Sequence, residues 1–173
     1  MSASGVPIKK GADVIIMLDT SSSMTSHTVS GTSNTRAQVL EESLKHLITQ
    51  FKTPGDDGAL LDLRVAIADF NGFYGENHNS SGTPYDRDAA DMMSDDISYN
   101  ANSEAQIYTG DHTLGAGAFI PVEDLAASYT LNYTSGTNYD YAMDAIYQLG
   151  EASRSSGENR DLYVIFMSDG AAM

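Results

Sequence analysis

Residues 12–18 read Ala-Asp-Val-Ile-Ile-Met-Leu and run straight into Asp19-Thr20-Ser21-Ser22-Ser23-Met24. A short, continuous, β-branched apolar run predicts a strand buried on both faces, which is how parallel strands under two helical layers read. Its abrupt end in an aspartate and four small hydroxyl residues places polar chemistry at the carboxyl end of that strand. In open α/β sheets, binding sites form at that end of the strands.

Two further segments repeat the pattern. Residues 61–70 carry Leu63, Val65, Ile67 and Phe70, and residues 162–167 read Leu-Tyr-Val-Ile-Phe-Met before Ser168-Asp169-Gly170. Between the first two strands, residues 35–51 place Val39, Leu40, Leu44, Leu47, Ile48 and Phe51 at helical spacing. Thr35 with Gln38 three positions on predicts a capping box, Pro54-Gly55 a stop, and Lys52 a cation near the helix's negative end. Residues 139–149 predict a second helix with Ala142, Ala145, Ile146 and Leu149 inward and Gly150 near its end. Strand, helix, strand, helix, strand implies an α/β fold around a mostly parallel sheet. The connection from Asn71 to Pro121 is far longer than the usual 4–6 residues or so. An edge strand near 105–108 and a short helix near 122–127 are expected in it, and the remainder reads as an inserted surface loop.

Composition bounds the function. The chain has 173 residues and a formal charge of −15, enough apolar residues for a core, and no apolar run near the 20 or so residues that a membrane helix needs. That charge argues against nucleic acid or an anionic membrane as partner, since both need a basic patch. Absence of cysteine removes thiolate catalysis and zinc–thiolate sites. Residues 1–173 are expected to form a single, partial domain, whose Met1-Ser2-Ala3-Ser4-Gly5 start resembles an initiator Met set before an internal segment.

The chemistry-bearing residues are oxygen donors. Asp19-x-Ser21-x-Ser23, if extended, puts one carboxylate and two hydroxyls on one side of the chain, a hard-oxygen set suited to Mg²⁺, Mn²⁺ or Ca²⁺. The plain alternative is a serine-rich turn bonded to its own backbone. Thr137 precedes the second helix, where it would also serve as a cap, and Asp169 follows the last strand, where it would also sit in a turn. Asp86, Asp88, Asp91, Asp95 and Asp96 read as a solvated acidic loop rather than a calcium loop. Tyr74, Tyr85, Tyr99 and Tyr108 suit either recognition or packing. His27, His46, His78 and His112 do not pair at metal-ligand spacing and read as surface or capping residues.

Taken in this order on these elements, the motifs resemble the von Willebrand factor type A domain with its metal-ion-dependent adhesion site. Gly136-Thr137-Asn138-Tyr139-Asp140 is similar to bacterial members found in giant calcium-dependent adhesins with repeats in toxin. The resemblance implies a Rossmann-like α/β/α fold with metal ligands Asp19, Ser21, Ser23, Thr137 and Asp169, the hydroxyls direct and the aspartates often through water. It implies a Mg²⁺ or Ca²⁺ ion, Mn²⁺ being acceptable, completed by a carboxylate of a protein partner, with the loops at 25–34 and 133–138 and the insertion framing that ligand. It also implies an extracellular or cell-surface setting inside a larger adhesin. Ser22 stands where the family commonly has Gly, the segment at about 71–121 is longer than usual, and the family's last two strands have no counterpart after residue 167. The exposed edge this leaves is expected to be met by the missing strands on a second polypeptide, by a second copy, or by aggregation. A Mg²⁺-dependent phosphotransferase with Asp19 as nucleophile is the competing enzyme reading. It is weakened by Ser21 where a second Asp belongs and by the absence of a motif lysine. A structural spacer is the third reading.

Overall fold

The computed structural model describes residues 11–71, 106–134 and 136–169. Four strands form one sheet: β1 (Ala12–Asp19), β2 (Leu63–Phe70), β3 (Ile120–Pro121) and β4 (Asp161–Met167), in the order β3-β2-β1-β4. β1 runs parallel to both β2 and β4, and β3 pairs antiparallel to β2. The helices are α1 (Ser22–Ser26), α2 (Arg36–Phe51) and α3 (Tyr139–Ser155). Short 3₁₀ turns at Ala116–Ala118 and Val122–Asp124 complete the regular structure of the described residues.

β1 is buried from end to end because its two faces are covered by different helices. Val14, Ile16 and Leu18 pack on Leu40, Leu44 and Ile48 of α2. Ile15 and Met17 pack on Ala142, Ala145 and Leu149 of α3. Each of the larger of these side chains, fully removed from water, contributes about 1.5–3 kcal/mol. The result is a three-layer α/β/α unit with a mostly parallel sheet. The chain passes from β1 to β2 on one side and returns to β4 on the other. The reversal of strand order therefore falls at β1, and in open α/β sheets it is at the carboxyl ends of the strands beside such a reversal that ligands bind.

α2 starts as its sequence predicts. The Thr35 hydroxyl accepts from the Gln38 N–H and the Gln38 side chain accepts from the Thr35 N–H. Lys52 caps its end but aims elsewhere, donating to the Glu123 and Leu125 carbonyls and so tying the helix to the β3 side. Val39 lies off the buried stripe and is exposed. α3 does not stop near Gly150: it continues to Ser155, and Gly150 is buried where an added Cβ would press on Leu162. The glycine therefore marks close packing of helix on strand rather than a helix end.

In the described part of the long connection, residues 110–117 lie largely at the surface, and single apolar residues on either side of them anchor it to the core. Residues 106–108 follow the outer edge of β2 through one antiparallel bridge, Ala68 with Ile107, rather than a strand. The edge strand proper is β3, and the helix expected near 122–127 is one 3₁₀ turn. Ile107, Ala118, Phe119, Val122 and Leu125 are all buried. Gly110, at φ 63°, lets the backbone double back against the Gly117 carbonyl, where any Cβ would collide. Asp86, Asp88, Asp91, Asp95 and Asp96, together with Tyr74, Tyr85, Tyr99 and His78, lie outside the described residues.

β4, whose apolar faces suit the inside of a sheet, forms an edge among the described residues, the exposed apolar edge expected of it, and its Leu162, Tyr163 and Val164 are exposed. No helix among the described residues is long and apolar enough to cross a membrane.

Candidate metal centre

Asp19 ends β1, fully buried, with a hydrogen bond on each carboxylate oxygen. Oδ1 accepts the Ser21 N–H at 2.9 Å, which turns the chain off the strand. Oδ2 accepts the Ser168 hydroxyl at 2.7 Å, and that hydroxyl in turn accepts from the Tyr139 hydroxyl at 2.8 Å. The end of β4 and the start of α3 are thus both tied to Asp19.

The Asp-x-Ser-x-Ser stretch is not extended throughout. It is extended to Ser21, the N-cap of α1, and helical from Ser22. An N-cap hydroxyl normally accepts an N–H of the first turn. Ser21 makes no such cap; its Oγ lies 3.0 Å from Ser23 Oγ. The two hydroxyls meet because an N-cap side chain overhangs the first helical turn, not because alternate residues of a strand share a face. Ligands at right angles on an ion with bonds of about 2.1 Å sit about 3 Å apart, so the Ser21–Ser23 separation fits one edge of an octahedral Mg²⁺ shell.

Asp169 follows Ser168 out of β4, its side chain 3% exposed, with Oδ2 bound by Arg36 Nη1 at 2.5 Å. Thr137 arrives by backbone. The Thr134 N–H donates to the Thr20 carbonyl and Ser21 bridges Thr134, which carries the loop before α3 alongside the Asp19 turn. Thr137 itself is half-buried and makes no hydrogen bond to the other four candidates. The structure therefore joins Asp19, Ser21 and Ser23 through bonds between neighbours, brings in Asp169 through Ser168, and places Thr137 only by its segment.

This is a donor set of two carboxylates and three hydroxyls. Among the described residues no group of three or more His, Cys, Asp or Glu stands at metal-holding spacing. The hydroxyl-rich set fits a hard cation.

Three features were not legible beforehand. Ser168 reads in sequence only as part of a turn. Arg36 is 133 residues from Asp169 in sequence, and nothing in its neighbourhood signals the pairing. The third is a buried network behind the Asp19 turn. Thr20, pointing away from Asp19 and Ser21, donates to Asp69 Oδ2 at 3.1 Å and accepts from Asn71 Nδ2 at 2.9 Å. Tyr108 also donates to Asp69 Oδ2, at 2.6 Å, and the Gln106 N–H to Oδ1, at 2.7 Å. Burial pushes the Asp69 carboxyl above its ordinary range, against the pull of those donors. Burial, and then the adjacent Asp69 carboxylate, push the Tyr108 hydroxyl far up, so it stays a donor. The signal was an aspartate inside the apolar run Ile67-Ala68-Asp69-Phe70.

His27 accepts the capping role expected of it, with Nδ1 3.1 Å from the Ser23 carbonyl oxygen, and His112 holds the Ile107 carbonyl at 2.9 Å. Both serve local backbone. No family model, no curated protein and no solved structure matches this chain.

Proposed function

We propose that this chain is a von Willebrand factor type A-like binding module, in which Asp19, Ser21, Ser23, Thr137 and Asp169 hold one divalent cation that receives an acidic group from a protein partner. The observation that carries the reading is the Ser21–Ser23 hydroxyl pair, 3.0 Å apart beside the buried Asp19 carboxylate. Ser21 gives up its ordinary capping bond to make it. When bound, the cation supplies a positive centre that neutral hydroxyl ligands leave electron-poor. It therefore favours an external carboxylate oxygen, which a chain of charge −15 otherwise repels.

The chain's own residues do the positioning. Asp19 fixes the turn through the Ser21 N–H, Ser168 and Tyr139 orient Asp19, and the Asp69 network anchors Thr20 from behind. The buried, doubly bonded Asp19 suits holding an ion better than attacking a phosphate, which disfavours the phosphotransferase reading. Setting and parentage, a cell-surface bacterial adhesin in a divalent-rich milieu, belong to the same proposal.

Calorimetric titration with Mg²⁺, Mn²⁺ and Ca²⁺ tests it. Wild type is expected to bind one ion and Asp19→Ala none. Equal binding by both proteins would sink the site.

A further inference from the structure

Arg36 is the first residue of α2, and its guanidinium donates to Asp169, one of the five candidate ligands. Its side chain is 33% exposed, against 3% for the Asp169 carboxylate it binds. The contact uses one nitrogen, Nη1; Nη2 and Nε make no hydrogen bond among the described residues. This is unusual economy for a group whose planar fork is built for two parallel bonds to a carboxylate.

Charge arithmetic gives those donors a use. Asp19 and Asp169 bring two negative charges, and Arg36 one positive. A divalent cation added to this cluster leaves it at net +1, within a chain of net charge −15. One carboxylate restores neutrality. Among the described residues, the protein cation bonded to the site is Arg36, which has donors to spare.

We propose that Arg36 is the second contact for the partner's carboxylate: one ligand oxygen meets the cation and the other takes an N–H of the Arg36 guanidinium. The inference rests on the metal-site reading above and adds to it a specificity residue. A carboxylate with two oxygens in one plane satisfies both contacts; a halide or a neutral carbonyl satisfies only one. Arg36 also sets the affinity of the ion. Its positive charge, held on Asp169, opposes a dication nearby, so its removal tightens cation binding while weakening carboxylate binding. A residue serving only to hold the fold would move both in the same direction.

The test uses Mn²⁺ as the ion and acetate as the carboxylate. Calorimetry gives Mn²⁺ affinity, and water-proton relaxivity of the Mn²⁺-loaded protein reports acetate as it displaces bound water. Circular dichroism checks folding. For Arg36→Gln, Mn²⁺ is expected to bind on the order of threefold tighter, and acetate about fivefold or more weaker, the loss of a charge-assisted bond. Arg36→Lys, which keeps the charge without the fork, is expected to fall between, and it decides the question if the Gln variant does not fold. Acetate affinity unchanged in the folded variant, with Mn²⁺ bound, would overturn the role of Arg36 and leave the metal site standing. A wild type that binds no Mn²⁺, or binds it as Asp19→Ala does, would overturn the site reading and this inference together.

Discussion

Asp13 and Asp19 stand on the same strand and, six positions apart, on the same face of it, beneath the same helix. Both are fully buried. Each accepts one serine hydroxyl from a neighbouring segment, Ser153 at 2.6 Å for Asp13 and Ser168 at 2.7 Å for Asp19. They differ in counter-charge. Arg64 clasps Asp13 through Nε and Nη2 at 2.9 and 2.8 Å, and Arg160 adds Nε at 2.8 Å while also reaching Asp62. Asp19 has a backbone N–H and a hydroxyl instead, and the nearby guanidinium of Arg36 goes to Asp169. One end of the sheet is a closed ion-pair clasp with every acceptor saturated by fixed charge. The other keeps a buried carboxylate that no cation among the described residues touches, an arrangement that a positive charge supplied from outside would stabilise. Asp13 is thus a structural staple closed by fixed charge, whereas Asp19, held by neutral donors alone, keeps its charge for an added cation.

The largest effect expected is at the clasp. Asp13→Ala removes the buried carboxylate that Arg64 and Arg160 share, leaving them only the more exposed carboxylates of Asp62 and Glu158, and is expected to cost about 3–5 kcal/mol in urea unfolding. Asp19→Ala, measured without divalent ions, is expected to cost clearly less, about 1–3 kcal/mol. Equal costs would erase the distinction between the two ends. The same clasp predicts an acid limb. Burial alone raises the Asp13 carboxyl, but the hydrogen bonds from Arg64, Ser153 and Arg160 outweigh it and hold it below its ordinary value. Its contribution is therefore full above the unfolded value of about 3.9 and is lost as pH falls through the lower folded value. Asp13→Ala is expected to flatten that part of the stability profile. Asp69, with its carboxyl raised, works with the opposite sign: its ionised form is disfavoured by folding, and acid relieves that cost.

An intermediate effect is expected behind the Asp19 turn. Tyr108→Phe removes the 2.6 Å donor from a buried carboxylate and is expected to cost about 1–3 kcal/mol. Because Asp69 anchors Thr20, Mg²⁺ affinity is also expected to fall, which calorimetry reads separately from stability. Lost stability with unchanged Mg²⁺ affinity would confine the network to the fold.

The smallest effect is the most discriminating. Ser153→Ala and Ser168→Ala delete the same group from two aspartates of one strand, and each is expected to cost about 0.5–1.5 kcal/mol. Only Ser168→Ala is expected to change cation binding. A change of equal size in both variants would mean that the ends communicate through α3, whose Tyr139 and Ser153 touch one end each.

The layers of the fold were readable because they depend on local periodicity. The β1 run is apolar at every position between its two aspartates, and the Leu40-Leu44-Ile48 spine of α2 repeats every four residues. The Thr35–Gln38 box needs only neighbours in sequence. Periodicity said less where one residue serves two purposes. Gly150 read as a helix end, yet it is where α3 presses on β4. The polar, glycine-rich stretch from 106 to 125 hid its buried Ile107, Phe119, Val122 and Leu125, because single apolar residues anchored against a sheet edge leave no repeat to detect.

Sequence alone determined the class of chemistry: hydroxyls and carboxylates without thiols, set at the carboxyl ends of parallel strands by the order of strands and helices. Tertiary structure alone decided how each of those groups is neutralised. Hydrogen bonds and ion pairs act over about 3 Å, whatever the separation along the chain. Arg36 met Asp169 across 133 positions, Arg160 met Asp13 across 147, and Ser168 met Asp19 across 149. No local pattern encodes such a meeting; it follows only when the two faces of β1 are packed and the strands on either side bring their ends together.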